Sequence, residues 1–224
     1  MASDSEKNGN QQVNLHTYLT VSGFASAEII EKKSRFIGYI NTAADEQAAQ
    51  AFLQEIRTKH RDATHNCYAY QAGEHDEFQR SGDDGEPAGT AGRPILEIIK
   101  GSGLKNTVVV VTRYFGGILL GTGGLVRAYS AAARAAVEAA GIVRCEPAGL
   151  YALAVEYSSW QRLESFLQTS GCEVRDVRFT DRVDVQVCVP HSLEQQLAAR
   201  LTELLGMAVQ PILLDDRAVL KKEI

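Results

Sequence analysis

Asp83, Asp84 and Glu86 place three carboxylates within four positions of the run Arg80-Ser-Gly-Asp-Asp-Gly-Glu-Pro-Ala-Gly-Thr-Ala-Gly-Arg93. Hard cations such as magnesium or manganese take oxygen ligands of this kind. A metal held there, with His65 at the edge of the cleft, would activate water or polarise a phosphoryl oxygen, so a metal-assisted hydrolase is one reading. The spacing lacks the calcium-loop pattern, and acidic turns are commonly just solvated, so no metal ligand is assigned. His65-x-Cys67 with nearby Asp62 offers three candidate ligands, where a structural zinc site wants four. A His/Cys nucleophile pair competes with a simpler reading, two packed residues on one face of a strand. No Ser, His and Asp are placed as a proteinase triad. An enzyme is therefore the second reading.

A different chemistry is written in Arg113-Tyr-Phe-Gly-Gly-Ile-Leu-Leu-Gly-Thr-Gly-Gly124, between a buried strand and a helix. A helix N-terminus offers unpaired N–H groups and a positive dipole end, and glycines let an anion approach the backbone. Gly116 and Gly121 have phosphate-loop spacing, but Thr122-Gly123-Gly124 stands where Gly-Lys-Ser/Thr is required, which excludes a nucleoside triphosphatase of that type. The expected binding residues are Arg93, Arg113, Gly116, Gly117, Gly121, Thr122, Gly123, Gly124 and Arg127. Glycines that simply permit a tight turn are an equal competitor. From Ile98 to Val137 there are five basic residues and no acidic one, so an anion site belongs there.

The chain has 224 residues, enough for two compact domains with cores of their own. The net charge is −5, and from Cys145 onward eight Lys/Arg face twelve Asp/Glu. Neither half is a basic domain that clamps phosphate backbones nonspecifically. The polar start MASDSEKNGN carries no signal peptide, and Val108–Val111 is far too short to span a bilayer. Four scattered cysteines without a CxxC pair suit reduced thiols in a cytoplasm. No membrane partner and no cofactor are expected.

The elements that must position these residues follow from periodicity. Residues 1–14 read as a disordered tail, 15–144 as one domain and 145–224 as another. Strands are expected over Tyr18–Gly23, Ala25–Lys32, Ser34–Asn41 and His65–Gln71, with a helix from Ala43 to Lys59 opened by a Thr42/Asp45 capping box. Ala72–Pro94 reads as a long loop, Pro94–Ile99 as a short helix, Thr107–Thr112 as a buried strand, and Leu125–Ala140 as an alanine-rich helix. Pro147 and Gly149 mark the domain boundary. Beyond it come Leu150–Tyr157, a helix capped by Ser158, Glu173–Phe179, Arg182–Val189, a helix capped by Ser192, and Met207–Leu213. That order, β-α-β-β-α-β, is ferredoxin-like, with both helices on one face of the sheet.

The chain resembles the YigZ/Impact family. The resemblance is carried by Lys33-Ser-Arg-Phe-Ile37, Ala63-Thr-His-Asn-Cys-Tyr-Ala-Tyr70, Asp83-Asp-Gly-Glu-Pro87, Gly89-Thr-Ala-Gly-Arg-Pro94 and the run Val111–Ser130. It implies an α+β protein with a first domain like the second domain of ribosomal protein S5 and a last domain like that of elongation factor G. Eukaryotic Impact proteins restrain starvation signalling to translation initiation, and bacterial members look translation-linked or nucleic-acid-binding. The expectation is a noncatalytic binding protein whose partner is the ribosome, RNA or a translation factor. Two positions depart from the family pattern: Gly82 stands where Ser commonly precedes the Asp pair, and Ala88 where Ser follows Glu-Pro. The loss of both hydroxyls argues against a nucleophile at either place.

Overall fold

The computed structural model describes residues 17–73 and 76–223, so the tail expected over 1–14 lies outside the described residues. The chain forms two compact units, Tyr18–Cys145 and Glu146–Leu220.

The first unit runs β1 (Tyr18–Val21), β2 (Ala25–Glu31), β3 (Ser34–Thr42), α1 (Glu46–Lys59), β4 (His65–Ala72), β5 (Phe78–Gly82), α2 (Gly92–Gly101), β6 (Thr107–Tyr114) and α3 (Thr122–Ala140). Five of these strands make an antiparallel sheet in the order β2-β3-β6-β4-β5. The valine run of β6 lies at its centre and is buried on both faces, which is why it shows no polar alternation. On one face Phe52, Leu53 and Ile56 of α1 pack with Val108 and Val110. On the other, α2 and α3 bring Ile95, Ile99, Ala132 and Ala136 to Val109 and Val111. Small side chains on α3 let it lie close to the sheet: a Cβ at Gly38 would come 2.5 Å from the Ala132 carbonyl oxygen.

Three boundaries differ from expectation here. The helix expected from Ala43 begins at Glu46, because Ala43 N–H bonds Asn106 and Asp45 caps the helix through Ala48 N–H at 2.7 Å. The loop expected over 72–94 contains β5, an exposed edge strand without apolar alternation, and α2 already starts at Gly92. The α3 helix begins at Thr122, three residues before Leu125, through glycines of low helix propensity.

The second unit contains β7 (Ile142–Val155, shared with the end of the first), α4 (Tyr157–Thr169), β8 (Glu173–Phe179), β9 (Val183–Pro190), α5 (His191–Leu205) and β10 (Ile212–Glu223). Strand β9 lies between β7 and β8, and β10 pairs the other side of β7, so the domain is ferredoxin-like. Alternating Val183, Val185 and Val187 meet Leu163, Leu167, Leu197 and Leu201 of the two helices. Pro147 and Gly149 do not break β7: Pro147 falls between residues 142–145, which pair β1, and 148–155, which pair β9. Neither Ser158 nor Ser192 is a cap, since each sits inside the first turn of a helix that starts directly after the preceding strand. The last strand begins at Ile212 rather than Met207, after left-handed Gly206 and buried Val209.

Candidate functional site

The candidate residues gather where β3 and β4 begin and β6 ends, since Arg35 is opposite Tyr114 and His65 opposite Arg113. The three carboxylates are each spent on a different set of internal donors. Asp83 accepts from the backbone N–H groups of Gly89, Ala91 and Gly92 at 2.8–3.0 Å. It thereby closes the loop and supplies the cap that Ala91 cannot give α2. Burial pushes the Asp83 carboxyl up, but the three N–H groups outweigh it and hold the group below the usual carboxylate range. Asp84, at φ 47°, accepts from Arg57 at 2.9 Å and from Asn66 N–H at 2.7 Å. Glu86 is buried, and its Oε1 accepts from Arg113 Nη1 at 2.5 Å and the Tyr129 hydroxyl at 2.8 Å. Burial raises the Tyr129 hydroxyl far above its ordinary range, so it remains a donor.

His65 Nδ1 lies 2.7 Å from the Asp84 carbonyl oxygen. A carbonyl only accepts, so Nδ1 carries the proton and, in the neutral ring, Nε2 presents a lone pair. Nε2 is 3.8 Å from Glu86 Oε1, beyond hydrogen-bonding range. Cys67 is fully buried, its Sγ is 2.9 Å from the Asp83 carbonyl oxygen, and burial pushes its thiol up to about 12. A protonated, enclosed thiol is no nucleophile. Among the described residues no group of three or more His, Cys, Asp or Glu is placed to hold a metal ion.

Beside this cluster lies a pocket of about 420 Å³. Its polar floor is His65, Glu86 and Arg113, and its apolar wall includes Phe115, Leu119, Leu120 and Leu125. Thr64, Pro87 and, at the start of α3, Gly121 and Thr122 complete the lining. The Arg113 guanidinium stacks between the Phe36 and Phe115 rings, at 5.3 and 5.5 Å, and its buried Nε has no partner. Gly117 and Gly121 turn the chain at φ 82° and 73°, while Gly116 is required for close approach: a Cβ there would lie 2.1 Å from the Lys33 carbonyl carbon. A second hollow of about 220 Å³ shares Leu120 and is lined by Gly124, Lys32 and Arg127. Gly123 is exposed in the same first turn, with the Arg127 guanidinium beside it. Arg93 is exposed on α2 and lines neither hollow.

The expected residues are thus sorted. His65, Glu86, Arg113, Gly121 and Thr122 share one pocket, Gly124 and Arg127 the adjoining hollow, and Asp83 and Asp84 hold the loop. Sequence reasoning missed Lys32 and Lys33. They form the two-residue turn between β2 and β3, both exposed and both at positive φ, 45° and 68°. The available signal was the two adjoining β-runs with Lys-Lys at the turn, where Asn-Gly is the favoured chemistry.

Comparison with known proteins gives a consistent picture. The Impact N-terminal domain matches residues 32–137, and a domain of unknown function, DUF1949, matches residues 153–206. IMPACT family member YvyE of Bacillus subtilis (strain 168) is 40% identical over 190 residues, covering 85% of this chain and 88% of that protein. IMPACT family member YigZ of Escherichia coli (strain K12) is 37% identical over 187 residues, covering 83% and 92%. The crystal structure of a hypothetical protein superposes with a TM-score of 0.58 at 32% identity, covering 90% of this chain and 98% of that one.

Proposed function

We propose that this chain, which belongs to the Impact family, is a noncatalytic binding protein that acts on translation by contacting the ribosome, an RNA or a translation factor. Family membership supports the link to translation. The observation that carries the binding surface is the cationic end of the first domain. Exposed Lys32, Lys33 and Arg127 surround an apolar glycine loop whose Phe115, Ile118 and Leu119 are 46%, 41% and 83% exposed. Cations around uncovered apolar side chains suit a partner with both charged backbone and flat apolar groups. Support for a noncatalytic role comes from Asp83 and Asp84, both oxygens of each accepting from internal donors, and from Glu86 Oε1, which accepts from Arg113 and Tyr129; this weighs against the metal-assisted hydrolase.

The test is co-sedimentation with ribosomes across a salt series, comparing the wild type with a Lys33→Gln/Arg127→Gln variant. Salt-sensitive association that the variant loses is the expected result, because each released counterion steepens the salt dependence. Absence of association at low salt overturns the ribosomal form of this reading. Association that the variant retains moves the surface elsewhere.

A further inference from the structure

We infer that the pocket between the glycine loop and His65 binds one nucleotide, its phosphate on the first turn of α3 and its base on the apolar wall. The inference rests on the reading of this end as an anion-contacting surface and names the chemical unit it takes.

The α3 helix is 19 residues long, its N-cap is Gly121, no side chain caps it, and no acidic residue lies in its first turn. The first intrahelical bond is from Leu125 N–H to Gly121, so no turn of helix consumes the N–H groups of Thr122 and Gly123. An oxyanion fits such an end through both the free donors and the dipole. A second, independent observation is Arg113. It lines the same pocket, is 5% exposed, and leaves its Nε–H without an acceptor. A buried donor without a partner is costly, and a small shift of the side chain would let an oxyanion in the pocket supply the missing acceptor. The carboxylate lining the pocket, Glu86, is matched by Arg113, and across Leu120 the adjoining hollow presents Lys32 and Arg127 against the single carboxylate of Glu31.

The apolar wall argues for the base. Phe115 and Leu119 are 46% and 83% exposed beside buried Leu125, which is a high cost for a pocket that only held phosphate. A base has the flat face that an aromatic ring and leucines accept without regard to sequence. His65 Nε2 presents a lone pair at the polar floor, so a base amino group or a ribose hydroxyl can donate to it. The volume of about 420 Å³ is within the usual range of small-molecule sites, roughly 300–1,000 Å³.

The experiment is calorimetric titration of the full chain with AMP, adenosine, inorganic phosphate and a short single-stranded RNA. Two variants accompany it. Thr122→Pro deletes one first-turn N–H at the first helical position, where proline is tolerated, and Phe115→Ala removes the ring. Thermal melts establish that both are folded. AMP is expected to bind saturably, about tenfold more weakly to Thr122→Pro, because a charge-assisted bond is lost. Adenosine binding is expected to be unchanged by Thr122→Pro and reduced by Phe115→Ala, with the reverse pattern for phosphate. RNA binding tighter than AMP identifies the occupant as a nucleotide of a strand, and AMP binding tighter than RNA identifies a free nucleotide. Absence of saturable AMP and RNA binding, or equal binding by wild type and both variants, overturns the inference. Salt-sensitive ribosome association that persists in that event leaves the surface reading standing and removes only the pocket.

Discussion

Arg113 and Glu86 form an ion pair inside the first domain, Nη1 to Oε1 2.5 Å apart, with side chains only 6% and 4% exposed. Each charge is out of water, so each depends on the other. Replacing Glu86 by Ala strands the guanidinium and is expected to cost about 3–5 kcal/mol of stability. Urea unfolding measures it. A Glu86→Leu/Arg113→Met double variant removes both charges and should recover most of that loss, and a double variant as unstable as Glu86→Ala would show that the pair is not the reason. Arg113 is therefore unsuited to testing surface binding by mutation.

Asp83 gives the acid limb of the stability curve. Its folded-state carboxyl lies below the ordinary value because three backbone N–H groups outweigh the effect of burial. The stability it contributes is therefore fully present above the unfolded value, about 3.9, and is lost as pH falls through the lower folded value. Asp83→Asn should be less stable than wild type by about 1–2 kcal/mol at neutral pH, and the gap should close in strong acid. Urea midpoints at a neutral and a strongly acidic pH decide it, a constant gap being the contrary result.

Cys67 should be chemically silent in the folded protein. Its thiol is enclosed against the Asp83 carbonyl and pushed up to about 12 by burial, so almost no thiolate exists near neutrality. Mass spectrometry after brief iodoacetamide treatment is expected to find Cys67 unlabelled in native protein and labelled after denaturation. Rapid native labelling would reinstate it as a candidate nucleophile.

The parts of the structure that could be read from sequence are those set by local pattern. Val108–Val111 announces a central strand, and Val183, Val185 and Val187 a one-sided one, because burial dictates side-chain type at each position. Strand β5 could not be read, since exposed edge residues carry no apolar alternation. The start of α3 was hidden because Thr122-Gly123-Gly124 has poor helix propensity, although Gly124 has a local reason, since a Cβ there would lie 2.9 Å from the Leu120 Cβ. The site was legible as a set of residues but not as chemistry. Spacing put Asp83, Asp84 and Glu86 together, while positive φ at Asp84 and Gly85 turns the chain between them and gives each its own donors. Gly82 is explained by Tyr68, whose ring would lie 2.4 Å from a Cβ there.

The Lys32–Lys33 turn carries the sharpest test of function against stability. Two consecutive non-glycine residues at φ 45° and 68° occupy a turn that Asn-Gly adopts without strain. Strain retained at an exposed position points to a use for the side chains themselves. A Lys32→Asn/Lys33→Gly variant should be more stable than wild type, by about 1 kcal/mol, because the backbone relaxes while no buried contact is lost. The same variant removes two exposed cations beside the glycine loop, so its ribosome association should weaken and its salt dependence flatten by nearly two counterions. Denaturant unfolding and co-sedimentation on one preparation read both effects. A variant that gains stability and binds as before would assign the lysines no part in the contact. One that loses stability would show that the turn is held by interactions of the lysines themselves.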